Sequence, residues 1–280
     1  MKNLVLNNGI DIPIVGIGTY MLTPDEAEFS VENALKNGYR LIDTANAYMN
    51  ERAVGRGIKK SDVKREDIFV STKLWPTEYN NPNAVDETLE RLNLEYIDLL
   101  FLHQPAGDWK NGYRQLEKAY KEGKIKSIGI SNFEGKYIEE LVKICEIKPQ
   151  VIQVEAHPYF TQTELRKITE PENIKIMSWY PLGHGDKTLM EQQVFTTIAK
   201  KYGKSPAQII LKWHTQMGFI VIPGARKEEH IKQNIDLFDF ELTKKEMQEI
   251  EKLNINKRYY IRTESHLKMF ANWQPNYENK

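Results

Sequence analysis

Residues 97–131 carry the reading that decides the fold. Ile97-Asp98-Leu99-Leu100-Phe101-Leu102 runs into His103-Gln104-Pro105, and thirty residues after Ile97 a second short run, Ser127-Ile128-Gly129-Ile130-Ser131, ends at Asn132. Each run reads as a strand. The segment between them is long enough for one crossover helix and two loops, the connection that parallel neighbours require. The same unit recurs on both sides, at Ile14–Gly18, Leu41–Asp43, Ile68–Thr72, Val151–Glu155, Lys175–Trp179 and Phe219–Ile222. The eight starts lie 27, 27, 29, 30, 24, 24 and 44 residues apart, so only the seventh gap is oversized. It holds two helical stretches, roughly 190–202 and 205–216.

The intervening segments have helix signals. Thr23 with Glu26 is a capping-box pattern, Pro24 suits the first helical position, and Gly38 suits a left-handed stop. Between them Ala27, Val31, Ala34 and Leu35 form one apolar stripe. A second stripe from Glu134 holds Tyr137, Ile138, Leu141, Val142 and Cys145, which makes Cys145 a packing residue, and Ser205-Pro206 opens a third helix. Eight βα units in 280 residues match a closed (β/α)8 TIM barrel, α/β in class, read as one domain over residues 1–280. The alternative is an open doubly wound sheet. Its dinucleotide fingerprint is G-x-G-x-x-G, and Gly16-Ile17-Gly18-Thr19-Tyr20-Met21 breaks that pattern at its last position. Leu4 to Ile12, with Asn8-Gly9 at the turn, reads as an N-terminal β-hairpin closing the barrel bottom.

Composition narrows the function. Lys and Arg number 39 against 39 Asp and Glu, so there is no basic excess for counterion release on nucleic acid or for an anionic membrane. The expectation is no nucleic-acid and no membrane partner. One cysteine, no clustered metal ligands and no apolar signal core lead to the expectation of a cytoplasmic, metal-free protein, read as a monomer. His157, His184, His214, His230 and His266 lack metal-ligand spacing and read as solvated or capping residues.

In a parallel barrel, functional groups sit where strands end at the carboxyl face. Strand two ends in Asp43 with Tyr48 five residues on, strand three is followed by Lys73, strand four by His103 and strand five by Ser131-Asn132. Strand six carries Gln153 and Glu155, and strand seven ends in Trp179. Asp43, Lys73, Tyr48 and His103 at one mouth form an acid-catalysis unit. Lys⁺ favours the phenolate and lowers the tyrosine pKa, aspartate holds the lysine, and imidazole orients the oxygen to be protonated. Two rivals use the same barrel: a lyase with Lys73 as a Schiff-base amine, and a non-catalytic nucleotide-binding barrel acting as a sensor or regulatory subunit.

At these residues the sequence resembles the aldo-keto reductase family, bacterial aldose-reductase-like and 2,5-diketo-D-gluconate reductase-like members in particular. The resemblance is carried by Gly16-Ile17-Gly18-Thr19, Leu41-Ile42-Asp43-Thr44-Ala45 to Tyr48-Met49-Asn50-Glu51, Ser71-Thr72-Lys73-Leu74-Trp75, Leu99 to Pro105, Lys124 to Phe133, and Gln153-Val154-Glu155 to His157-Pro158. It implies a (β/α)8 barrel that binds NADPH in extended form and reduces aldehydes and ketones, with Asp43, Tyr48, Lys73 and His103 as tetrad and Tyr48 as proton donor. It places Ser131, Asn132 and Gln153 on the nicotinamide carboxamide and Trp179 against the ring. Gly18, Thr19, Asp43, Tyr180, Leu182 and Gly183 fall on further cofactor contacts, and Asn234 on the adenine. The run Ile222-Pro223-Gly224-Ala225-Arg226, with His230 beyond it, lacks the usual lysine and arginine. Arg226 is the substitute for gripping a 2′-phosphate, which favours NADPH and leaves NADH possible. The same resemblance lines the substrate pocket with Tyr20, Tyr48, Trp75, His103, Trp109 and a C-terminal tail bearing Phe270, Trp273 and Tyr277. His103-Gln104-Pro105 is similar to members acting on dicarbonyls such as methylglyoxal or on keto-sugars, so the expected partner is a small carbonyl.

Overall fold

The structure, a computed structural model, describes residues 2–276 and 278; Tyr277 lies outside the described residues. Its first element is an antiparallel hairpin of β1 (Asn3–Val5) and β2 (Asp11–Pro13), with Leu4 opposite Ile12. Gly9 makes the turn at φ 85°, a region that glycine enters without steric penalty. Eight parallel strands follow: β3 (Ile17–Gly18), β4 (Leu41–Asp43), β5 (Phe69–Leu74), β6 (Leu99–Leu102), β7 (Ile128–Ser131), β8 (Val151–Glu155), β9 (Lys175–Trp179) and β10 (Ile220–Val221). They pair in chain order. Parallel bridges Val15–Val221 and Gly18–Gly224, with Gly16 N donating to Val221 O at 2.8 Å, join the last strand to the first. A Cβ on Gly18 would stand 2.7 Å from the Ile222 carbonyl oxygen, so this seam requires glycine.

Among the described residues twelve helices accompany the strands: α1 (Pro24–Lys36), α2 (Glu51–Lys60), α3 (Ala84–Leu92), α4 (Trp109–Lys121), α5 (Lys136–Ile144), α6 (Thr163–Thr169), α7 (Lys187–Met190), α8 (Gln193–Tyr202), α9 (Pro206–Gln216), α10 (Glu228–Ile235), α11 (Lys244–Glu251) and α12 (Glu264–Asn272). The capping boxes at Thr23 and Ser205 are both formed, and Gly38 follows α1 at φ 94°. Two boundaries differ from expectation. Gly135, at φ 56°, is the N-cap of α5, so that helix starts after Glu134 and Cys145 becomes its half-buried C-cap. The first stretch in the seventh gap divides into α7 and α8, because Asp186 caps a separate turn by accepting from Thr188 N at 2.8 Å. Among the described residues no helix is long and apolar enough to cross a membrane.

Strand alternation divides the core and positions the site. Leu41, Phe69, Leu99, Phe101, Val151, Met177, Ile220 and Ile222 form one buried cluster with Leu6 and Ile12 of the hairpin segment. Their alternates Ile42, Val70, Leu100, Leu102, Ile152 and Val154 pack outward against the helices. Asn7 and Asn8 tie the hairpin turn to Pro149 O and Lys126 O, ahead of β8 and β7, so the hairpin seals the amino end of the barrel. Counting two residues on from the inner cluster reaches Asp43, Ser71 and Lys73, His103, Gln153 and Trp179. Period-two geometry thus stacks a polar layer on the apolar one at the carboxyl end.

The apolar layer is tightly filled. A Cβ on Gly129 would lie 2.2 Å from the Phe101 ring. Gly129→Ala is expected to destabilise the protein by about 1–3 kcal/mol through overpacking, read as a lower urea midpoint with an unchanged slope.

Candidate active site

Asp43 ends β4, and after Ala45 the chain makes a single 3-10 turn over Asn46–Tyr48. Met49 follows in the left-handed region at φ 57°. Asn50 fixes this turn: its Nδ2 donates to Thr19 O at 3.0 Å and Leu22 O at 3.1 Å, and its Oδ1 accepts from Thr44 Oγ1 at 2.9 Å. Thr19 is fully buried in the same network, donating to Thr44 Oγ1 at 2.8 Å. Glu51, buried one residue on, accepts from Thr72 Oγ1 and Arg91 Nε, both at 2.6 Å. The turn that carries Tyr48 is therefore braced from both sides.

Beneath it lies a buried ion pair. Lys73 Nζ donates to Asp43 Oδ2 at 2.6 Å and to Thr44 O at 2.7 Å, and Asp43 Oδ1 accepts from Ser71 Oγ at 2.8 Å and Gln153 Nε2 at 2.9 Å. Lys73 Nζ stands 4.8 Å from the centre of the Tyr48 ring. The His103 ring lies 5.7 Å from that ring and 5.0 Å from Trp75. Trp75 meets the C-terminal tail, with Phe270 at 5.1 Å, Trp273 at 5.0 Å, and its Nε1 donating to Trp273 O at 3.0 Å. Tyr20 closes another side, half exposed and 5.0 Å from Tyr48.

Burial decides the charge states. The Tyr48 phenol is held well above its ordinary value, first by burial and then by the Asp43 charge. This corrects the expectation that Lys73 lowers it: desolvation of the phenolate and the Asp43 charge set the resting state, and Tyr48 holds its proton. Burial lowers the Lys73 pKa, opposed by Asp43. His103 is held well below its ordinary value by burial and then by the Lys73 charge, so its imidazole is neutral. Its buried Nδ1 finds no hydrogen-bond partner among the described residues. Such a group at a mouth calls for an oxygen from a bound molecule.

The expected cofactor residues divide by location. Asn132, at φ 65°, donates from Nδ2 to His103 O at 3.2 Å and Ser131 Oγ at 3.1 Å, while its Oδ1 accepts from Trp179 Nε1 at 3.1 Å. A half-buried indole beside two amides and a hydroxyl suits a flat heterocycle bearing a carboxamide, so these residues fit the nicotinamide end. Tyr180, at φ 53°, has its ring 4.7 Å from Trp179 and 4.2 Å from His184. Burial pushes its phenol up to about 12. Leu182 is half-buried and Gly183 turns at φ 64°. On the far side Arg226 donates to Glu26 Oε1 at 3.1 Å and Met21 O at 2.6 Å. Asn234 is buried on α10, while His230 is exposed.

Three placements depart from expectation. Trp109 is not brought to the mouth: it opens α4 buried edge-on to Phe133 at 5.4 Å, in the layer between strands and helices. His157 and His214 are fully buried rather than solvated, and only His266 takes a capping role, accepting from Thr263 N at 3.3 Å. His214 Nε2 donates to Pro181 O at 3.1 Å and so pins the loop after β9. Sequence reasoning also missed how the C-terminal segment is held. Glu155 Oε1 accepts from Tyr259 N at 2.6 Å and meets His157 Nε2 at 3.0 Å, while Oε2 accepts from Tyr260 N at 3.3 Å. The alternation of β8 points to an inward Glu155, but nothing in the strand names its partner.

With that geometry in place, comparison with known proteins is informative. A family model described as the aldo/keto reductase family matches residues 15–255. The glyoxal reductase of Bacillus subtilis is 46% identical over 258 residues, 90% of this chain and 93% of that protein. The methylglyoxal reductase of Escherichia coli K12 is 38% identical over 257 residues, 90% and 94% of the two chains. A Bombyx mori aldo-keto reductase, solved in complex with NADP, is 34% identical and superposes with a TM-score of 0.88 over 99% of each chain.

The buried imidazole of His214 sets a pH dependence. Burial holds His214 down to about 3, against about 6.5 when unfolded. The unfolded chain binds the extra proton between those values, so the stability His214 contributes is full above pH 6.5 and is lost as pH falls towards 3. Urea midpoints should drop across that window, by at most about 1.4 kcal/mol per pH unit from this group. His214→Gln should flatten the slope.

Proposed function

The chain belongs to the aldo/keto reductase family and is an oxidoreductase working with NAD(P)H, and on that footing we propose that it uses NADPH to reduce small aldehydes, ketones and dicarbonyls with Tyr48 as proton donor. One observation carries the reading: the Lys73–Asp43 pair buried at 2.6 Å beneath a protonated Tyr48, with a neutral His103 opposite. When bound, NADPH supplies a hydride to the carbonyl carbon. The carbonyl oxygen sits between Tyr48 and His103. His103 donates one hydrogen bond and orients it, which a neutral imidazole does without competing for the proton. Tyr48 delivers its phenolic proton to that oxygen as negative charge grows there, and solvent returns a proton to Tyr48 as the alcohol leaves. Lys73 stabilises the phenolate left behind, and Asp43 holds Lys73 in place.

Ser131, Asn132 and Gln153 would hold the carboxamide, and Trp179 would offer its face to the ring. Tyr180, Leu182 and Gly183, with Gly18 and Thr19, would hold the pyrophosphate portion, and Asn234 the adenine. Arg226 selects NADPH: its planar fork exchanges Glu26 for a 2′-phosphate, a stronger and doubly charged acceptor. The relatives that reduce glyoxal and methylglyoxal support small dicarbonyls as substrates. The aromatic walls of Tyr20 and Trp75 suit compact, planar molecules.

Tyr48→Phe is expected to lower kcat on methylglyoxal by about 10²–10⁴, with NADPH affinity by fluorescence titration unchanged. Near-wild-type turnover would remove Tyr48 as donor. Arg226→Ala is expected to weaken NADPH binding by about tenfold or more and leave NADH within about twofold, measured as the two dissociation constants. Equal losses would place the phosphate elsewhere.

A further inference from the structure

A proton leaves Tyr48 in each turnover of the proposed reaction, and the surroundings of that phenol limit where its replacement comes from. Beneath it the way is closed. Lys73, Asp43, Ser71 and Gln153 are each at most 2% exposed, and the Lys73 ammonium is committed to Asp43 Oδ2 and Thr44 O. A proton taken from this lysine would have no path of return from solvent and would leave the Asp43 carboxylate buried without its counter-ion. The opposite wall is closed for another reason. His103 is held neutral by burial and then by the Lys73 charge, and the single N–H of a neutral imidazole is needed by the carbonyl oxygen.

The remaining side of Tyr48 is occupied by two more phenols. Tyr20, which follows the buried Thr19, packs its ring 5.0 Å from the Tyr48 ring and is half exposed, so a hydroxyl-bearing side chain extends from the reaction centre to water. Tyr180, from the loop after β9, joins it: both Tyr20 and Tyr180 lie in the field that acts on Tyr48. The Tyr180 phenol is pushed up to about 12, first by burial and also by a side-chain hydrogen bond with Tyr20. A bond that favours the protonated form of Tyr180 is one in which Tyr180 donates, so it runs from Tyr180 to Tyr20. The Tyr180 backbone is left-handed at φ 53°, a costly conformation for an aromatic residue, and the ring is fixed by Trp179 at 4.7 Å and His184 at 4.2 Å. Strain of this kind persists where neighbours over-determine it, and it gathers at functional positions.

We propose that Tyr20 and Tyr180 form a phenol relay that returns a proton from solvent to Tyr48 after each turnover. The inference rests on the reductase reading and adds the route by which the donor is recharged. Once the carbonyl oxygen has taken the Tyr48 proton, the Tyr20 O–H bond breaks as a new Tyr48 O–H bond forms. Tyr20 then takes the Tyr180 proton in the same way, and Tyr180 takes one from an acid in the solvent. No electrons move in these steps, and one solvent proton is consumed for each carbonyl reduced, as the overall reduction requires. Burial makes the Tyr48 phenolate a strong base, which draws the proton inwards.

Stopped-flow oxidation of NADPH by methylglyoxal tests the relay, because Tyr48 enters the first turnover already protonated and draws on the relay only from the second. Tyr20→Phe keeps the ring and removes the hydroxyl. It should leave the first-turnover rate within about threefold and lower the steady-state rate by about tenfold or more, so that a burst of about one NADPH per protein precedes a slow phase. Tyr180→Phe should act in the same direction but more weakly, because Tyr20 itself meets solvent. In both variants the solvent deuterium isotope effect on the steady-state rate should exceed that of wild type, and added imidazolium, a small acid, should restore much of that rate. NADP⁺ dissociation, followed by fluorescence, should keep its wild-type rate, which separates slow recharging from slow release. A first turnover slowed as much as the steady state would make Tyr20 a wall of the pocket only, and unchanged steady-state rates in both variants would mean that water reaches Tyr48 unaided. Either outcome overturns the relay, while turnover by wild type leaves the reductase reading intact. Wild-type turnover in Tyr48→Phe overturns that reading, and the relay with it.

Discussion

Lys73 and Asp43 share an interior with almost no solvent, and the rest of the molecule is arranged around keeping both charges there. A buried ion pair is a poor source of stability, because desolvating two ions can exceed their mutual attraction unless every remaining lone pair and proton is matched. Here Asp43 is matched by Lys73, Ser71 and Gln153, and Lys73 by Asp43 and the Thr44 carbonyl. Those partners come from β4, β5 and β8. Only a sheet curled back on itself brings the third of these to the first two. Closure of the barrel at Gly18 and Gly224 is thus a condition for the charge arrangement as well as for the fold.

The same desolvation sets the chemistry of the mouth. Burial keeps the proton on Tyr48 and off His103, giving one donor with a proton to lose and one neutral imidazole to orient an oxygen. In the proposed reaction Lys73, 4.8 Å from the phenol ring, acts when the phenolate forms rather than in the resting state. Differential stabilisation of the charged form, absent before the reaction and present during it, is what accelerates a proton transfer. Rigidity supports this: Asn50, Thr19 and Glu51 tie the Tyr48 turn to the barrel wall, so the proposed donor is positioned before substrate arrives.

Loops and tail finish the site on the same economy of buried partners. His214 pins the loop after β9 through Pro181, and Glu155 with His157 pins the C-terminal segment through two backbone amides. Asp186 joins the two, accepting from Tyr259 Oη at 2.6 Å and from Lys257 at 3.1 Å. The elements expected to touch cofactor and substrate are thereby fixed to one another.

Much of this was legible in the chain. Strand length, spacing and alternation specify eight parallel strands, and alternation alone puts Asp43, Lys73, His103 and Gln153 above an apolar layer, because a side-chain period of two is local backbone geometry. Helix caps at Thr23 and Ser205 are equally local. What needed the tertiary structure was everything set by residues distant in sequence: the raised phenol of Tyr48, the burial of Trp109 behind Phe133, the engagement of Arg226 by Glu26, and the hydrogen bond of Arg262 to Asn132 O. Each depends on desolvation or on a partner up to two hundred residues away. Spacing along a chain encodes which way a side chain points, whereas its electrostatic environment belongs to the packed assembly of all the strands at once.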